Sequence, residues 1–123
     1  MSGRRVLVVD DEGDIRMSVG LSLQLAGYEV LEAATGEEAV REVVEQSPDA
    51  VLLDLRLPDI DGWRVLERLE ELGHFPQVPV VIGSADAAPA SRRRALAAGC
   101  AGYLVKPFEP SALLALLEQP ATH

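Results

Sequence analysis

Residues 51–62 read VLLDLRLPDIDG, an apolar run that ends in an aspartate and passes into a loop marked by proline and glycine. A run of this kind is typical of a strand that is buried on both faces of a parallel sheet. Asp54 then lies at the carboxyl end of the strand, where open α/β sheets bind their ligands. The stretch therefore predicts an α/β fold with Asp54 in the functional site.

The composition limits the class of protein. The 123 residues are 48% hydrophobic, which suits one domain with one core. Cys100 is the only cysteine, so no internal disulfide can form and we expect a reducing, cytoplasmic location. The first apolar run stops at Val9, too early for a signal peptide or a membrane span. The net charge of −9 argues against direct nucleic-acid binding by this domain.

Five short apolar segments alternate with five longer segments along the chain. This alternation predicts a parallel sheet covered by helices. The two glutamates of the second strand favour an edge position for it. The predicted strands are 6–9, 28–33, 51–54, 78–82 and 103–105, and the predicted helices are 14–26, 35–47, 61–73, 86–98 and a last one around 113–117.

The segment 14–26 contains a conflict between two patterns. Its apolar residues fall at every second position, which by period alone indicates a strand. Its length, its Leu, Met, Gln and Ala content and the following Gly27 favour a helix, and we predict a helix. The predicted inward residues are Ile15, Val19, Leu23 and Ala26 here, Ala39, Val40, Val43 and Val44 in the second helix, and Val65, Leu66, Leu69 and Leu72 in the third.

Polar residues follow four of the predicted strands: the pair Asp10-Asp11, then Asp54, Ser84 and Lys106. Carboxylates gathered at one edge of a sheet repel one another unless a cation joins them. Oxygen ligands without nearby His or Cys select a hard ion such as Mg²⁺. The lysine and the hydroxyl suit a phosphoryl group, and one carboxylate can act as the nucleophile. The residues predict metal-assisted phosphoryl transfer onto an aspartate.

Other interpretations stay open at this point. The pair Asp10-Asp11 could cap the next helix, and Asp59 and Asp61 suit turn and N-cap positions better than metal ligation. The run 92–94, three arginines, is either a solvated helix face or a docking patch for an acidic partner. Trp63 and Cys100 are expected simply to pack in the fold.

Two further functions compete with a phosphoryl-accepting domain. A Mg²⁺-dependent phosphatase or phosphotransferase with an aspartyl nucleophile usually has an acid/base carboxylate two residues beyond it and a cap over the substrate. That position is Arg56 here, and the chain is short for a cap. A nucleotide or flavin binder needs a phosphate-binding loop after the first strand, where 10–12 is instead Asp-Asp-Glu.

From Val6 to about Glu118 the sequence closely resembles the receiver domain of two-component response regulators. The resemblance rests on the pair Asp10-Asp11, the segment 54–62, the pair Ser84-Ala85 and the segment 103–108, YLVKPF. It implies a flavodoxin-like (βα)5 three-layer sandwich with strand order 2-1-3-4-5. It also implies a single receiver domain over 1–123, with an ordered core of about 4–119. Such a domain signals and is not an enzyme, because it catalyses only its own phosphorylation and dephosphorylation.

The resemblance also implies a metal site and a phosphoacceptor. Asp54 would receive the phosphoryl group from a sensor histidine kinase or a phosphotransfer protein. Asp11, Asp54 and the backbone carbonyl of Arg56 would bind Mg²⁺ or Mn²⁺, with Asp10 acting largely through water.

The phosphoryl group would be bound by Ser84, Ala85 and Lys106. Ser84 and Tyr103 would form the switch, with the hydroxyl moving toward the phosphoryl group and the aromatic ring turning inward. The bond between Lys106 and Pro107 is expected to be cis, which directs the lysine into the site.

The surface of the fourth helix, fifth strand and fifth helix would then carry the signal to a downstream protein or an effector domain. The resemblance is also compatible with a homodimer that forms on phosphorylation. No membrane partner is expected. Arg56 and Asp86 flank the site, and we hypothesise that this arginine screens attacking water or pairs with Asp86, which slows loss of the phosphoryl group.

Overall fold

The computed structural model describes residues 4–118. Within these residues five strands alternate with five helices, as the sequence predicts. The strands are β1 (Arg5–Val9), β2 (Glu29–Ala33), β3 (Ala50–Leu53), β4 (Val80–Ser84) and β5 (Gly102–Val105). The helices are α1 (Gly13–Leu25), α2 (Gly36–Gln46), α3 (Gly62–Glu71), α4 (Pro89–Ala98) and α5 (Pro110–Leu117).

The sheet is parallel, with the strand order β2-β1-β3-β4-β5. The predicted flavodoxin-like order and the edge position of β2 are both confirmed. Val9 pairs with Leu53, Leu53 pairs with Ile82, and Ile82 pairs with Tyr103. This register brings the carboxyl ends of β1, β3, β4 and β5 to one edge of the sheet.

Both faces of the sheet are covered by helices. In β1, Leu7 and Val9 join the core formed with α2, α3 and α4, whereas Val6 and Val8 join the core formed with α1 and α5. Successive side chains of a strand point to opposite faces, so a strand of continuous valine and leucine fills two cores at once. The predicted three-layer sandwich is confirmed.

The alternating apolar residues of α1 lie on two opposite faces of the helix. Residues two apart are about 200° apart around a helix axis, so every fourth residue shares a face. Leu23 is buried and Ile15 and Val19 are half-buried, while Met17 and Leu25 are 66% and 82% exposed. The helix prediction is therefore right.

Three residues predicted to face inward are exposed instead. Ala26 and Leu72 are the residues that cap the C-termini of α1 and α3, where the chain turns away from the helix. Val44 lies on α2 at about 100° from Val43, just beyond the arc that contacts the sheet. The predicted start of the fourth strand at Val78 is also early, because β4 begins at Val80.

Cys100 packs in the core, as predicted, and burial raises the pKa of its thiol to about 11. None of the helices within residues 4–118 has the length and apolar character needed to cross a membrane. The predicted end of the ordered core at about residue 119 lies outside the described residues.

Candidate functional site

The parallel register places the predicted site residues next to one another. Asp10 directly follows β1 and Asp54 directly follows β3, and the N–H of Asp54 donates to the carbonyl of Val9 at 3.0 Å. Lys106 directly follows β5, and its N–H donates to the carbonyl of Ser84 at 2.8 Å. Three strand ends that are far apart in sequence thus deliver two carboxylates and one ammonium group to the same edge.

Lys106 bridges the two buried carboxylates. Its Nζ lies 2.6 Å from Oδ2 of Asp10 and 2.9 Å from Oδ2 of Asp54. Burial alone lowers the pKa of Lys106, but the hydrogen bonds and negative charges of Asp10 and Asp54 outweigh it, and the pKa lies above its ordinary value. Lys106 is also the only lysine in the chain, since the other basic side chains are arginines or histidines. The bond to Pro107 is cis, as the resemblance implies.

A group of acidic side chains lies at the mouth of the site. One carboxylate oxygen from each of Asp10, Asp11 and Glu12 lies within 4.8 Å of the others. Asp10 is buried and accepts a 2.9 Å hydrogen bond from the N–H of Glu12, whereas Asp11 and Glu12 are exposed. Oxygen donors of this kind fit a hard divalent ion. Glu12 was not among the predicted metal-binding residues, although its place directly after the acidic pair was a signal.

The acidic group opens into a cavity of about 460 Å³. Asp54 is only 6% exposed but lines this cavity, so its carboxylate can be reached from solvent. The lining brings together most of the residues that the sequence predicted for metal and phosphate binding. The lining residues are Asp11, Glu12, Asp54, Arg56, Leu57, Pro58, Ala85 and Lys106.

The loop after β3 is fixed at both ends. At its start the N–H of Arg56 donates to Oδ1 of Asp54 at 3.1 Å. At its end the N–H of Gly62 donates to the carbonyl of Leu55 at 2.9 Å. A Cβ on Gly62 would lie 2.7 Å from the Asp54 carbonyl oxygen and 2.8 Å from the Leu55 Cα, so only glycine allows this approach. Asp61 is the N-cap of α3, as predicted, and accepts from the N–H of Arg64 at 2.9 Å.

Asp59 anchors the same loop to α2. Its two carboxylate oxygens accept hydrogen bonds from the N–H groups of Gly36 and Glu37 at 2.8 and 2.9 Å. Burial raises the pKa of Asp59, but these bonds lower it by more, and the net shift is downward. Thr35 caps the third free N–H, that of Glu38, at 3.1 Å. The side-chain cap of α2 by Thr35 is thus joined by a carboxylate from a distant loop, which the sequence pattern did not indicate.

The Ser84 side chain is fully buried, and its Oγ accepts a 3.1 Å hydrogen bond from the N–H of Asp86. The Tyr103 ring lies inward, at 4% exposure, and its hydroxyl donates to the carbonyl of Asp86 at 2.6 Å. Desolvation, followed by the charge of Asp86, raises the pKa of Tyr103. The two predicted switch residues therefore meet at the backbone of one residue of the β4–α4 loop.

Asp86 uses its own carboxylate to hold the start of α4. Oδ2 accepts from the hydroxyl of Ser91 at 2.5 Å and Oδ1 accepts from the N–H of Ala88 at 2.9 Å. These hydrogen bonds, with a smaller contribution from the charge of Arg56, lower the pKa of Asp86. The hypothesis that Arg56 pairs with Asp86 is thus reduced to an attraction at longer range, because Ser91 and Ala88 are the direct partners.

The arginines of α4 attach this helix to its neighbours. Arg92 donates to the carbonyl of Tyr103 at 3.3 Å, and the guanidinium of Arg94 lies 4.1 Å from the ring centroid of Trp63 on α3. A guanidinium stacked on an aromatic face is held by a cation–π attraction. Two of these three arginines therefore have intramolecular contacts, which a purely solvated face would lack.

The fold and this pocket define a class of protein: a doubly wound α/β domain with an acidic, lysine-bearing site at the carboxyl edge of its sheet. Residues 6–118 match the family described as the response regulator receiver domain, and the chain belongs to this family of two-component signalling proteins.

Relatives and solved structures agree with this family. The transcriptional regulatory protein PrrA of Mycobacterium tuberculosis is 42% identical over 111 residues, which cover 90% of this chain and 47% of PrrA. The phosphate regulon regulator PhoB of Pseudomonas aeruginosa is 35% identical over 118 residues, 96% of this chain and 52% of PhoB. The chain therefore spans about half the length of these relatives. The chemotaxis response regulator CheY4 of Vibrio cholerae superposes with a TM-score of 0.86 at 32% identity, covering 95% of this chain and 98% of CheY4.

Proposed function

We propose that Asp54 accepts a phosphoryl group from a phosphohistidine donor, a sensor histidine kinase or a phosphotransfer protein, and that the modified domain signals through α4, β5 and α5. The observation that carries this proposal is the position of Lys106 Nζ, 2.9 Å from Asp54 and 2.6 Å from Asp10. A cation held beside a buried carboxylate is already placed to meet the charge that a phosphoryl group brings.

In the proposed reaction a carboxylate oxygen of Asp54 attacks phosphorus, the phosphorus–nitrogen bond of the donor breaks, and its electron pair leaves with the imidazole. The imidazole takes its proton from solvent. Lys106 then moves from the carboxylates to a phosphoryl oxygen, and the Ser84 hydroxyl and the Ala85 N–H supply hydrogen bonds to the others.

The acidic residues serve this reaction by holding a divalent ion. Asp11, Asp54 and the Arg56 carbonyl would bind Mg²⁺ or Mn²⁺, with Asp10 acting through water. When bound, the ion offsets the negative charge of the phosphoryl oxygens. Its charge would also lessen the dependence of the Asp10 carboxylate on Lys106.

The switch follows from the contacts of Ser84. When its hydroxyl turns to a phosphoryl oxygen, it gives up the bond from the Asp86 N–H, and Asp86 is the residue that holds both Tyr103 and the first turn of α4. The phosphoryl group thereby shifts the balance between two arrangements of one loop.

The same proposal covers the domain or protein on which the phosphorylated receiver domain acts. PrrA and PhoB are named as regulators of transcription and are about twice the length of this chain. We propose that the surface of α4, β5 and α5 acts on an effector domain or a downstream protein, directly or through a homodimer formed on phosphorylation. That residues 1–123 form a single receiver domain which turns over no separate substrate stays a prediction.

The test is incubation with acetyl phosphate and Mg²⁺, followed by intact-mass measurement. The wild type is expected to gain one phosphate, and Asp54→Asn is expected to gain none. Asp61→Asn is the matched control, because it removes a carboxylate from the same loop but keeps the N-cap, and it should gain the phosphate. An adduct that persists in Asp54→Asn would overturn the assignment, and steady turnover of an aryl phosphate ester would favour the phosphatase alternative.

A further inference from the structure

Arg16 is a basic side chain at the edge of the acidic site, and none of the roles above uses it. It lies in the second turn of α1, and its guanidinium reaches back past the start of the helix. Its Nη1 donates to the backbone carbonyl of Asp10 at 2.6 Å, and its Nε donates to Oε1 of Glu32 on β2 at 2.9 Å. The side chain is only 21% exposed although it is charged.

The carbonyl of Asp10 controls the direction of the next residue. It belongs to the peptide that joins Asp10 to Asp11, so fixing this oxygen fixes the plane from which the Asp11 side chain projects. The other groups of Asp10 are bonded elsewhere, its N–H to Ala33 and its carboxylate to the Glu12 N–H and to Lys106. Only the contact with Arg16 acts on this peptide from the helix side within the described residues.

The N-terminus of α1 offers little alternative support for this loop. Glu12 is the N-cap residue of α1, but its side chain makes no capping hydrogen bond. A helix start without a side-chain cap frays more readily, and the hydrogen bond from the Glu12 N–H to the Asp10 carboxylate does not hold the Asp10 carbonyl. Arg16 ties this loop to β2 through Glu32, which is an exposed edge-strand residue.

The charge of Arg16 is unfavourable for a cation site. A positive charge near the acidic group weakens its attraction for a divalent ion. If Arg16 assists metal binding, its effect on the orientation of the Asp10–Asp11 peptide must therefore outweigh this electrostatic cost. The planar guanidinium suits this role, since it donates to a carbonyl and a carboxylate at fixed angles, which an ammonium group does not do equally well.

We infer that Arg16 is a positioning residue for the metal site: it holds the Asp10–Asp11 peptide so that the Asp11 carboxylate faces Asp54. This inference rests on the proposed function, because it needs a divalent ion to bind there. Residues that orient metal ligands without touching the ion typically change affinity by about 10–100-fold when they are replaced.

Position and charge predict opposite results for Arg16→Gln. Loss of the positive charge alone would tighten Mg²⁺ binding. Loss of the hydrogen bonds that hold the Asp10–Asp11 peptide would weaken it. The measurement is calorimetric titration of Mg²⁺ into the unphosphorylated full chain, with circular dichroism to establish that each variant is folded. We expect Arg16→Gln to bind Mg²⁺ about tenfold more weakly, and excess Mg²⁺ should restore its phosphorylation by acetyl phosphate. Equal or tighter binding would overturn the inference.

Two further variants keep the test decisive. Arg16→Lys preserves the unfavourable charge but not the planar fork, so we expect weaker Mg²⁺ binding than in wild type, and an affinity equal to wild type would contradict a positioning role even if Arg16→Gln fails to fold. Glu32→Gln keeps an acceptor for Arg16 and should bind within about twofold of wild type, as an uncharged hydrogen bond still orients the guanidinium. If the wild type itself binds no Mg²⁺, the proposed function fails as well, and the two failures are thereby distinguished.

Discussion

The phenol hydroxyl of Tyr103 donates a 2.6 Å hydrogen bond to the backbone carbonyl of Asp86, seventeen residues earlier in the chain. Asp86 in turn donates its N–H to Ser84 and accepts the hydroxyl of Ser91. One residue of the β4–α4 loop therefore connects the candidate phosphate-binding hydroxyl, the inward tyrosine and the first turn of α4.

This connection predicts the effect of Ser91→Ala. The hydroxyl of Ser91 is the largest cause of the lowered pKa of Asp86, so its removal should raise that pKa toward the ordinary value. Amide hydrogen exchange at the start of α4 should also accelerate, because the carboxylate no longer holds the helix. Carboxyl-carbon NMR titration and hydrogen exchange measure the two effects. Ser22→Ala, which removes a hydroxyl from α1, is the control, and an equal response in both variants would contradict the account.

Replacement of the bridging lysine predicts a loss of stability. In Lys106→Met the carboxylates of Asp10 and Asp54 are left facing each other without their cation, which should cost about 1–3 kcal/mol in the free energy of unfolding. Added Mg²⁺ should recover part of this loss. Urea unfolding with and without Mg²⁺ makes the measurement, and a variant as stable as wild type in Mg²⁺-free buffer would disprove the role of the ion pair.

The same ion pair gives a pH dependence with a definite sign. The folded pKa of Lys106 lies above its unfolded value of 10.5, so the pair stabilises fully below pH 10.5 and the contribution is lost as pH rises through the folded pKa. The stability difference between wild type and Lys106→Met should therefore persist at neutral pH and shrink in strong alkali. Because the chain has one lysine, a single labelled-lysine NMR signal can follow the titration directly.

Asp59 should stabilise the fold although it is exposed and lies in a loop. Asp59→Ala removes the acceptors for two N–H groups of α2 and should lower the free energy of unfolding by about 1 kcal/mol. Its folded pKa is lowered, so this contribution is present above the ordinary pKa and is lost as pH falls through the folded pKa. Thermal unfolding at neutral and acidic pH tests this. Glu45→Gln, an exposed acid on α2, should leave stability nearly unchanged at neutral pH.

The close packing around Gly62 predicts that a larger residue at this position disturbs the position of Asp54. In Gly62→Ala the new methyl group meets the Asp54 carbonyl and the Leu55 Cα, so the loop must shift, at a cost of about 1–3 kcal/mol. Mg²⁺ affinity should fall with stability because Asp54 moves. Gly20→Ala is the control: its Cβ would lie 3.4 Å from Val30, an ordinary contact, and alanine favours the helix. If Gly62→Ala were as well tolerated as Gly20→Ala, the close approach would have no energetic importance.

Arg56 is expected to lengthen the lifetime of the proposed aspartyl phosphate. In Arg56→Ala the proposed aspartyl phosphate should decay faster, because the exposed guanidinium no longer screens the route by which water reaches phosphorus. Loss of the adduct from purified phosphoprotein, followed by intact mass over time, measures this lifetime. Arg41→Ala, a change on the exposed face of α2, should decay at the wild-type rate. Decay no faster in Arg56→Ala than in wild type would remove the hypothesis.

The strand ends could be predicted from sequence because a parallel sheet fixes them. Strands buried on both faces are continuous apolar runs, so the first polar residue after each run marks the functional edge. Asp10, Asp54, Ser84 and Lys106 follow or end such runs in the sequence, and they lie at one edge of the sheet in the structure. The same reasoning did not distinguish the exposed Leu72 from the buried Leu69, because periodicity continues past the residue at which a helix ends.

The missed features are contacts made by side chains that reach across the chain. Arg16 meets Glu32 and Asp59 meets Gly36 over sequence separations of 16 and 23 residues. Neither pair belongs to a repeating pattern, and nothing in the local sequence states which backbone group lies within reach. Their detection requires the packed positions of whole elements, which only the three-dimensional arrangement supplies.

The most direct measurement of the central claim is the identity of the modified residue. The protein is treated with acetyl phosphate and Mg²⁺, reduced with borohydride, which converts an aspartyl phosphate to homoserine, and sequenced by tandem mass spectrometry. The account predicts homoserine at position 54, and none there when the donor or the metal is omitted. Homoserine at Asp10, Asp11 or another carboxylate, or its absence from the complete reaction, would contradict the account.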